Sequence, residues 1–393
     1  MYEVFVTKRE NSKYILLTEN GILLEKYQES ENNERLEGNI YLGKVQNVFQ
    51  GMQAAFVNIG QDKNTFIHLK DILPQIDIKN GIKKQQEKVN IKDLIKPGMP
   101  ILVQVKKDNT NKKGAKVSTH ISLSSKYIVL LPNTTIVTIS QKIEENSEKK
   151  RLEKEVKALL PDNFGAIIRT SALKKDIKDI KEDIAVLLEK WTNIEKQSKS
   201  NTNNIPRLIY KDFSILKKIF IDLVDKDIKV IVDTQDLYNE VNSILKEIKL
   251  LEKINIELVE NTDILDMYSI NTQLEKINNR KIWLKCGGFI TIDKTEALTA
   301  IDVNSGKYIG KESLEKTVFT VNKEATLEIL KQLRLRDIGG IIIIDYIDMK
   351  DEENKTKIYE LLKEGIKKDR AKVQIEGFTR LNLFELTRKR IMA

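Results

Sequence analysis

The residues most able to do chemistry lie in two short stretches of the final third of the chain. In ALTAIDVN the two-residue period of a strand puts Leu298, Ala300, Asp302 and Asn304 on one face and Thr299, Ile301 and Val303 on the other. In GGIIIIDYID the run of isoleucines predicts a strand buried on both faces, and Asp345 stands where the apolar run stops. Strand ends are where α/β folds usually expose their sites. Two aspartates at adjacent strand ends, with a side-chain amide between them, suit a hard cation such as magnesium, which takes one or two protein carboxylates, several waters and substrate phosphate oxygens. Such an ion polarises a phosphodiester and makes hydroxide available near neutral pH, so the implied chemistry is phosphodiester hydrolysis. The same spacings occur in ordinary turns and strand termini, which leaves a purely structural role open. Asp293 and Glu296, in TIDKTEA, could contribute a further carboxylate behind the pair, though turn chemistry explains them at least as well.

Composition narrows the choices. One cysteine, Cys286, and two histidines, His68 and His120, are too few for a Cys/His zinc site, so any metal must be held mainly by oxygen. Cys286 reads as a small hydrophobe. Neither a P-loop nor G-x-G-x-x-G is present, which gives nucleotide hydrolysis no support. A formal net charge of +9 and a pI near 9.1 favour a polyanionic partner, because each phosphate neutralised by Lys or Arg releases counterions. A lysine-rich composition alone produces the same charge, so the charge only opens the question. No apolar run approaches the roughly 20 residues of a membrane-spanning helix. The N-terminus, MYEVFVTKRE, lacks the apolar core and cleavage site of a secretory signal. The expectation is a chain without a membrane span, at work in the cytoplasm.

The elements that must position these residues can be read from pattern. A length of 393 residues predicts two or three domains. Residues 1–35 read as three strands, with an Asn-Gly turn inside YILLTENGILLEKY. Residues 38–69 carry three more strand-like runs and resemble a small antiparallel barrel, continued after a lysine-rich insertion by a strand at Pro100–Val105. IEENSEKKRLEKEVKALL has helical spacing, with Asn146 or Ser147 as N-cap. Residues 195–205, EKQSKSNTNNI, read as a linker and domain boundary. An α/β unit follows, then a hairpin from Trp283, a long helix over Ser313–Arg334, the isoleucine strand, a basic helix over Asn354–Asp369, KVQIEGF, and a last basic helix. The fold class expected is mixed α/β and multidomain.

Two further groups of side chains fit a polyanion. Phe56 and Phe66 fall on the polar side of their strands, near Lys106, Lys107, Lys112, Lys113 and Lys116. Aromatics beside lysines bind single strands by stacking bases and following the backbone, but both rings could equally pack beneath the insertion at 70–98. Arg169 and Thr170, after a short strand in GAIIRTSA, form a fork beside a hydroxyl that suits phosphate, although a surface arginine at a strand end is common. His68 reads as a partly exposed barrel histidine.

Taken together these stretches resemble the ribonuclease E/G family over nearly the whole chain. GNIYLGKVQNVFQGMQAAFVNIGQDKNTFIHL looks like its embedded OB-fold RNA-binding domain, GAIIRTSA like its 5′-end sensor, and TEALTAIDVNSG through LRLRDIGGIIIIDYIDM like its catalytic domain. The resemblance implies an endoribonuclease cutting single-stranded RNA to 3′-hydroxyl and 5′-phosphate ends, in ribosomal RNA processing and messenger RNA decay. It implies that Asp302 and Asp345 hold magnesium, or manganese in its place, and that Asn304 assists at the scissile phosphate. It further implies that Phe56, Phe66, Lys107 and Lys113 contact RNA, and that Arg169 and Thr170 receive a 5′-monophosphate. The implied architecture is a ribonuclease H-like subdomain (1–35 and 206–277), an OB-fold (36–124), a 5′-sensor region (125–205) and a deoxyribonuclease-I-like catalytic domain (278–393). The chain departs from the family pattern at Gln141 before Lys142, at Lys372 in DRAK where arginine is usual, and in carrying no C-P-x-C zinc motif before Met392-Ala393. The expectations are therefore no zinc site, a homodimer or higher oligomer left open, no degradosome scaffold, and the short ribonuclease G type as the nearer match. An RNA-binding module without catalysis is the runner-up.

Overall fold

The computed structural model describes residues 1–30, 35–72, 89–109, 114–140, 143, 145–200, 204–212, 215–306 and 314–391. The chain divides into two compact units, one of residues 1–31, 226–242 and 253–393, the other of residues 32–225 and 243–252. It is a mixed α/β chain with several sheets and a closed five-stranded barrel.

The first unit holds two sheets. A five-stranded sheet runs in the order Asn255–Leu258, Ile228–Val232, Tyr2–Arg9, Ser12–Glu19, Ile22–Ser30. Its last hairpin turns at Asn20 and Gly21, both with positive φ (51° and 75°), the conformation for which Asn-Gly is selected. The second sheet has six strands, in the order Lys281–Trp283, Phe289–Lys294, Leu298–Asn304, Gly340–Asp345, Leu383–Arg388, Val373–Phe378. Helices Leu314–Leu335 and Glu352–Ile366 cover one face of it. Val321, Ala325 and Ile329 of the first helix and Ile358 and Leu362 of the second pack on Ile301, Ile342, Ile344, Phe384 and Leu386.

That single-sided packing corrects the expectation for the isoleucine strand. Ile342 and Ile344 are fully buried, but Ile341 is 50% exposed and Ile343 only half-buried. Helices lie against one face of the strand, so alternate isoleucines remain open. A second correction concerns the expected last basic helix: LFELTR is a strand, Leu383–Arg388, inserted between Gly340–Asp345 and Val373–Phe378. Its alternation of buried Phe384 and Leu386 with half-buried Leu383, Glu385 and Thr387 is the period-two pattern, and it overrides the helical propensity of the flanking basic residues.

In the second unit, five strands close on themselves: Ile40–Phe49, Ala54–Asn58, Thr65–His68, Lys116–Ser118, Pro100–Lys107 and back to Ile40–Phe49. Ala55, Val57, Ile59 and Ile67 fill the interior. Gly43 is required there, since a Cβ would come within 2.7 Å of Val57 Cγ1 and 2.9 Å of the Asn58 carbonyl oxygen. A four-stranded sheet follows, ordered Val137–Ile139, Phe164–Ile168, Ile128–Pro132, Leu123–Ser124, with helices Asn146–Leu159 and Ile177–Lys199 against it. The first of these helices begins one residue after Glu145, which makes no side-chain cap, so neither Asn146 nor Ser147 is the N-cap. The linker expected over 195–205 is overturned for its first part, which is the last turn of Ile177–Lys199. The apolar stripe Ile180, Ile184, Leu187, Trp191 and Ile194 carries the helix up to that turn, and a Glu195–Lys199 pair at 3.0 Å spans it.

The six-stranded sheet is closed at one corner by a buried ionic cluster. The Arg388 side chain is fully buried and donates to Asp369 (2.8 and 3.1 Å), Asp337 (2.7 Å) and the Ile338 carbonyl (2.9 Å). Burial works against its charge, and the Asp369 and Asp337 carboxylates outweigh that, holding its pKa above the ordinary arginine value. Removing one member strands the others in the interior, which costs about 3–5 kcal/mol. Arg388→Ala is therefore expected to lower the urea midpoint by that equivalent at unchanged m-value, while alanine at the exposed Arg380 leaves stability within about 0.5 kcal/mol.

Candidate active site

The face of the six-stranded sheet turned away from the helices carries the carboxylates. On Leu298–Asn304, Thr299, Ile301 and Val303 are buried and Ala300 and Asp302 exposed, with Asn304 half-exposed, so the strand alternates as its sequence requires. Leu298–Asn304 and Gly340–Asp345 run parallel with Asp302 directly opposite Asp345. Both point from the same face, and Asn304 Nδ2 donates to Asp302 Oδ2 at 2.6 Å, orienting it. Asp302, Asn304 and Asp345 are thus brought together.

The electrostatics of the pair are set by burial and by neighbouring negative charge. Burial pushes the Asp345 carboxyl above its ordinary pKa, and the neighbouring Asp302 and Asp348 charges push it further. Among the described residues no lysine or arginine forms an ion pair with Asp302 or Asp345. No group of three or more His, Cys, Asp or Glu side chains stands ready to enclose a metal among those residues either. Two side-by-side carboxylates in an open setting fit magnesium, which needs few protein ligands and leaves its other positions to water and phosphate; they do not fit a closed zinc cage. Asp293 is paired with Arg280 at 2.5 and 2.8 Å and so has a partner of its own.

On the barrel, Phe56 and Phe66 face each other across neighbouring strands, with ring centroids 6.2 Å apart at 69°. Both are half-exposed and lie on the outer surface. Lys107 is exposed on Pro100–Lys107, opposite Lys116, and Lys116 in turn is in register with Phe66. Lys112 and Lys113 lie outside the described residues. Lys106 turns inward instead: its Nζ donates to Gln104 Oε1 at 2.6 Å and Ser122 Oγ at 3.2 Å, and burial lowers its pKa to about 8. A third ring missed in sequence is Phe49, 40% exposed and 5.6 Å from Phe56. A bulge between Val45 and Asn47 shifts the alternation before it, which is why simple period-two counting passes it over.

Arg169 caps the short 3-10 turn Thr170–Ala172 and is half-buried. Its guanidinium donates to the Ser125 carbonyl at 2.8 Å and to Asp222 at 2.5 Å, and Thr170 shares a 3.1 Å hydrogen bond with Ser140. The two predicted phosphate contacts are adjacent, and Asp222 holds the position an anion would take on Arg169. Gln141 and Lys142 lie outside the described residues. DRAK is a structural element: Asp369 binds Arg388, Arg370 reaches the buried Glu25 at 2.8 Å, and Lys372 is exposed.

Comparison with known proteins places the chain in a family. The profile of the ribonuclease E/G family matches residues 122–391. Ribonuclease G of Salmonella typhimurium (strain SL1344) is 36% identical over 392 residues, covering 99% of this chain and 80% of that protein. Ribonuclease G of Escherichia coli (strain K12) is 36% identical over 393 residues, with the same coverage. Ribonuclease E of Buchnera aphidicola subsp. Schizaphis graminum is 35% identical over 369 residues, 92% of this chain and 38% of that protein. A match of this extent, across both the barrel and the sheet that bears Asp302 and Asp345, is decisive: the chain belongs to the ribonuclease E/G family.

Proposed function

We propose that this chain is a magnesium-dependent endoribonuclease that hydrolyses single-stranded RNA to 3′-hydroxyl and 5′-phosphate ends. The observation that carries the reading is the in-register pairing of Asp302 with Asp345 on an open sheet face, in a chain related to ribonucleases. Asp302 and Asp345 would hold the ion between them. When bound, magnesium, or manganese in its place, supplies polarisation of a phosphate oxygen and a more acidic neighbouring water. Asn304 spends one amide N–H on Asp302 and has a second to give a phosphate oxygen, so it fixes the scissile group against the carboxylates. Water attacking phosphorus in line expels the 3′ oxygen, which leaves the phosphate on the 5′ end of the downstream product.

The barrel's circuit, with Thr65–His68 parallel to Lys116–Ser118, supports an OB-fold reading, and Phe56, Phe66 and Lys107 would stack and follow the RNA. Lys113, outside the described residues, joins them by sequence alone. Arg169 and Thr170 would receive a 5′-monophosphate, with the phosphate displacing Asp222 from the guanidinium. Within this reading residues 1–35 and 206–277 form the ribonuclease H-like part and 278–393 the deoxyribonuclease-I-like part. The substrates would be ribosomal RNA precursors and messenger RNA in the cytoplasm, and the active species a homodimer or higher oligomer. Among the described residues no helix is long and apolar enough to cross a membrane.

Cleavage of a short 5′-monophosphorylated RNA should require magnesium, stop with chelator, and fall at least about a hundredfold in the Asp302→Asn/Asp345→Asn double variant, the loss expected when several kcal/mol of metal assistance is removed. RNA affinity should stay near wild type; surviving cleavage in the double variant would sink the metal assignment. Arg169→Ala should slow cutting of 5′-monophosphorylated RNA more than of 5′-hydroxyl RNA. Equal slowing of both would count against a 5′-end pocket.

A further inference from the structure

The row of side chains that holds Asn304 continues across the sheet to two aromatic rings. Phe289 is the register partner of Asn304, and Trp283, on the edge strand Lys281–Trp283, is the partner of Phe289. The next row runs Lys281, Thr291, Asp302, Asp345 in the same way, so the rings and the carboxylates share one face. With strands about 4.8 Å apart, Phe289 and Trp283 stand about 5 and 10 Å from Asn304, a short step along an extended strand.

The cluster is assembled and left open. The rings meet edge-on, centroids 5.3 Å apart at 62°, and Lys281 Nζ sits 4.2 Å from the Trp283 ring centre and 3.6 Å from that of Phe289. Trp283 is nevertheless 57% exposed, an expensive setting for an indole, whose burial would remove on the order of 150–250 Å² from water. The charge beside it on this face is the Lys281 ammonium, and at the sheet edge Trp283 also borders a cavity of about 510 Å³ that reaches Lys276 and, on the helix side, Lys331 and Glu328. An exposed aromatic backed by a second ring, lysine alongside, is the arrangement that binds single-stranded nucleic acid without reading its sequence.

We propose that Trp283, supported by Phe289 and Lys281, stacks a nucleobase of single-stranded RNA beside the scissile phosphate, making it a substrate-positioning residue on the face that carries Asp302 and Asp345. This rests on those carboxylates being the cleavage site. A single-stranded polyanion is the occupant that the lysines and the continuity with the carboxylate rows favour.

Trp283 is one of two tryptophans and the other, Trp191, is buried, so the emission change on RNA binding that Trp283→Phe removes reports on the platform. In the Asp302→Asn/Asp345→Asn chain, a short oligoribonucleotide should quench emission saturably. An abasic ribose-phosphate strand of equal length should not, and Trp283→Phe should lose the quench. In the otherwise wild-type chain, Trp283→Ala should raise KM about tenfold, the size of one base–aromatic stack, with kcat within about twofold, and Trp283→Phe should restore most of it. Quenching by neither strand, equal quenching by the abasic strand, or an unchanged KM in Trp283→Ala would overturn the platform. So would emission that shifts with protein concentration and ignores RNA, which would assign the ring to contact between copies. Absence of cleavage in the wild type would strike the nuclease reading alone, leaving the quench to decide the platform.

Discussion

The parallel register between Leu298–Asn304 and Gly340–Asp345 is the constraint on which the rest of the site depends. Helices on one side bury Ile301, Val303, Ile342 and Ile344, and the period of two then leaves Ala300, Asp302 and Asp345 no choice but the open face. Register does the remainder by setting Asp302 opposite Asp345. A slip of one residue on either strand would turn its aspartate into an apolar interior, where an unpaired carboxylate is costly, so the hydrophobic core and the acidic pair enforce each other.

That register is itself anchored by the next strand of the sheet. Leu383–Arg388 pairs with Gly340–Asp345 along its whole length, Asp345 opposite Leu383, and Arg388 at its end is locked to Asp369 and Asp337. Arg370, next to Asp369, ties the same corner to Glu25 of Ile22–Ser30, whose carboxylate also accepts from the Tyr27 hydroxyl at 2.9 Å. The substitution of lysine in DRAK falls on the one charged residue of that motif whose side chain is exposed, so the ionic corner survives it.

The site has an acidic centre in a chain of net charge +9. Two carboxylates without a counter-charge among the described residues repel a polyanion unless a cation intervenes, and the same repulsion raises the Asp345 pKa alongside its burial. Under the proposed reading, Lys281 and the rings of Trp283 and Phe289 would supply the attraction that the centre lacks. Within the second unit the same pairing of ring and lysine recurs at Phe49, Phe56 and Phe66, beside Lys107 and Lys116. Phe56 and Phe66 are half-exposed on strands whose opposite face is core.

Local pattern was enough to establish the three N-terminal strands and their Asn-Gly turn, the barrel strands with Ala55, Val57 and Ile67 inward, and the common face of Asp302 and Asn304. Each of these follows from the side-chain period of a strand or from a turn that needs positive φ, and such features are written in neighbouring residues. What lay beyond reach depended on partners distant in sequence. Whether the isoleucine strand is covered on one face or two is decided by where Leu314–Leu335 and Glu352–Ile366 pack, and LFELTR becomes a strand because a gap in the sheet awaits it. Lys106 turns inward because Gln104 and Ser122 offer acceptors, and Arg169 is held by Asp222 from another element. The pairing of Asp302 with Asp345, and the row from Asn304 to Trp283, belong to the same class: composition names the residues, but only strand order and register set them side by side.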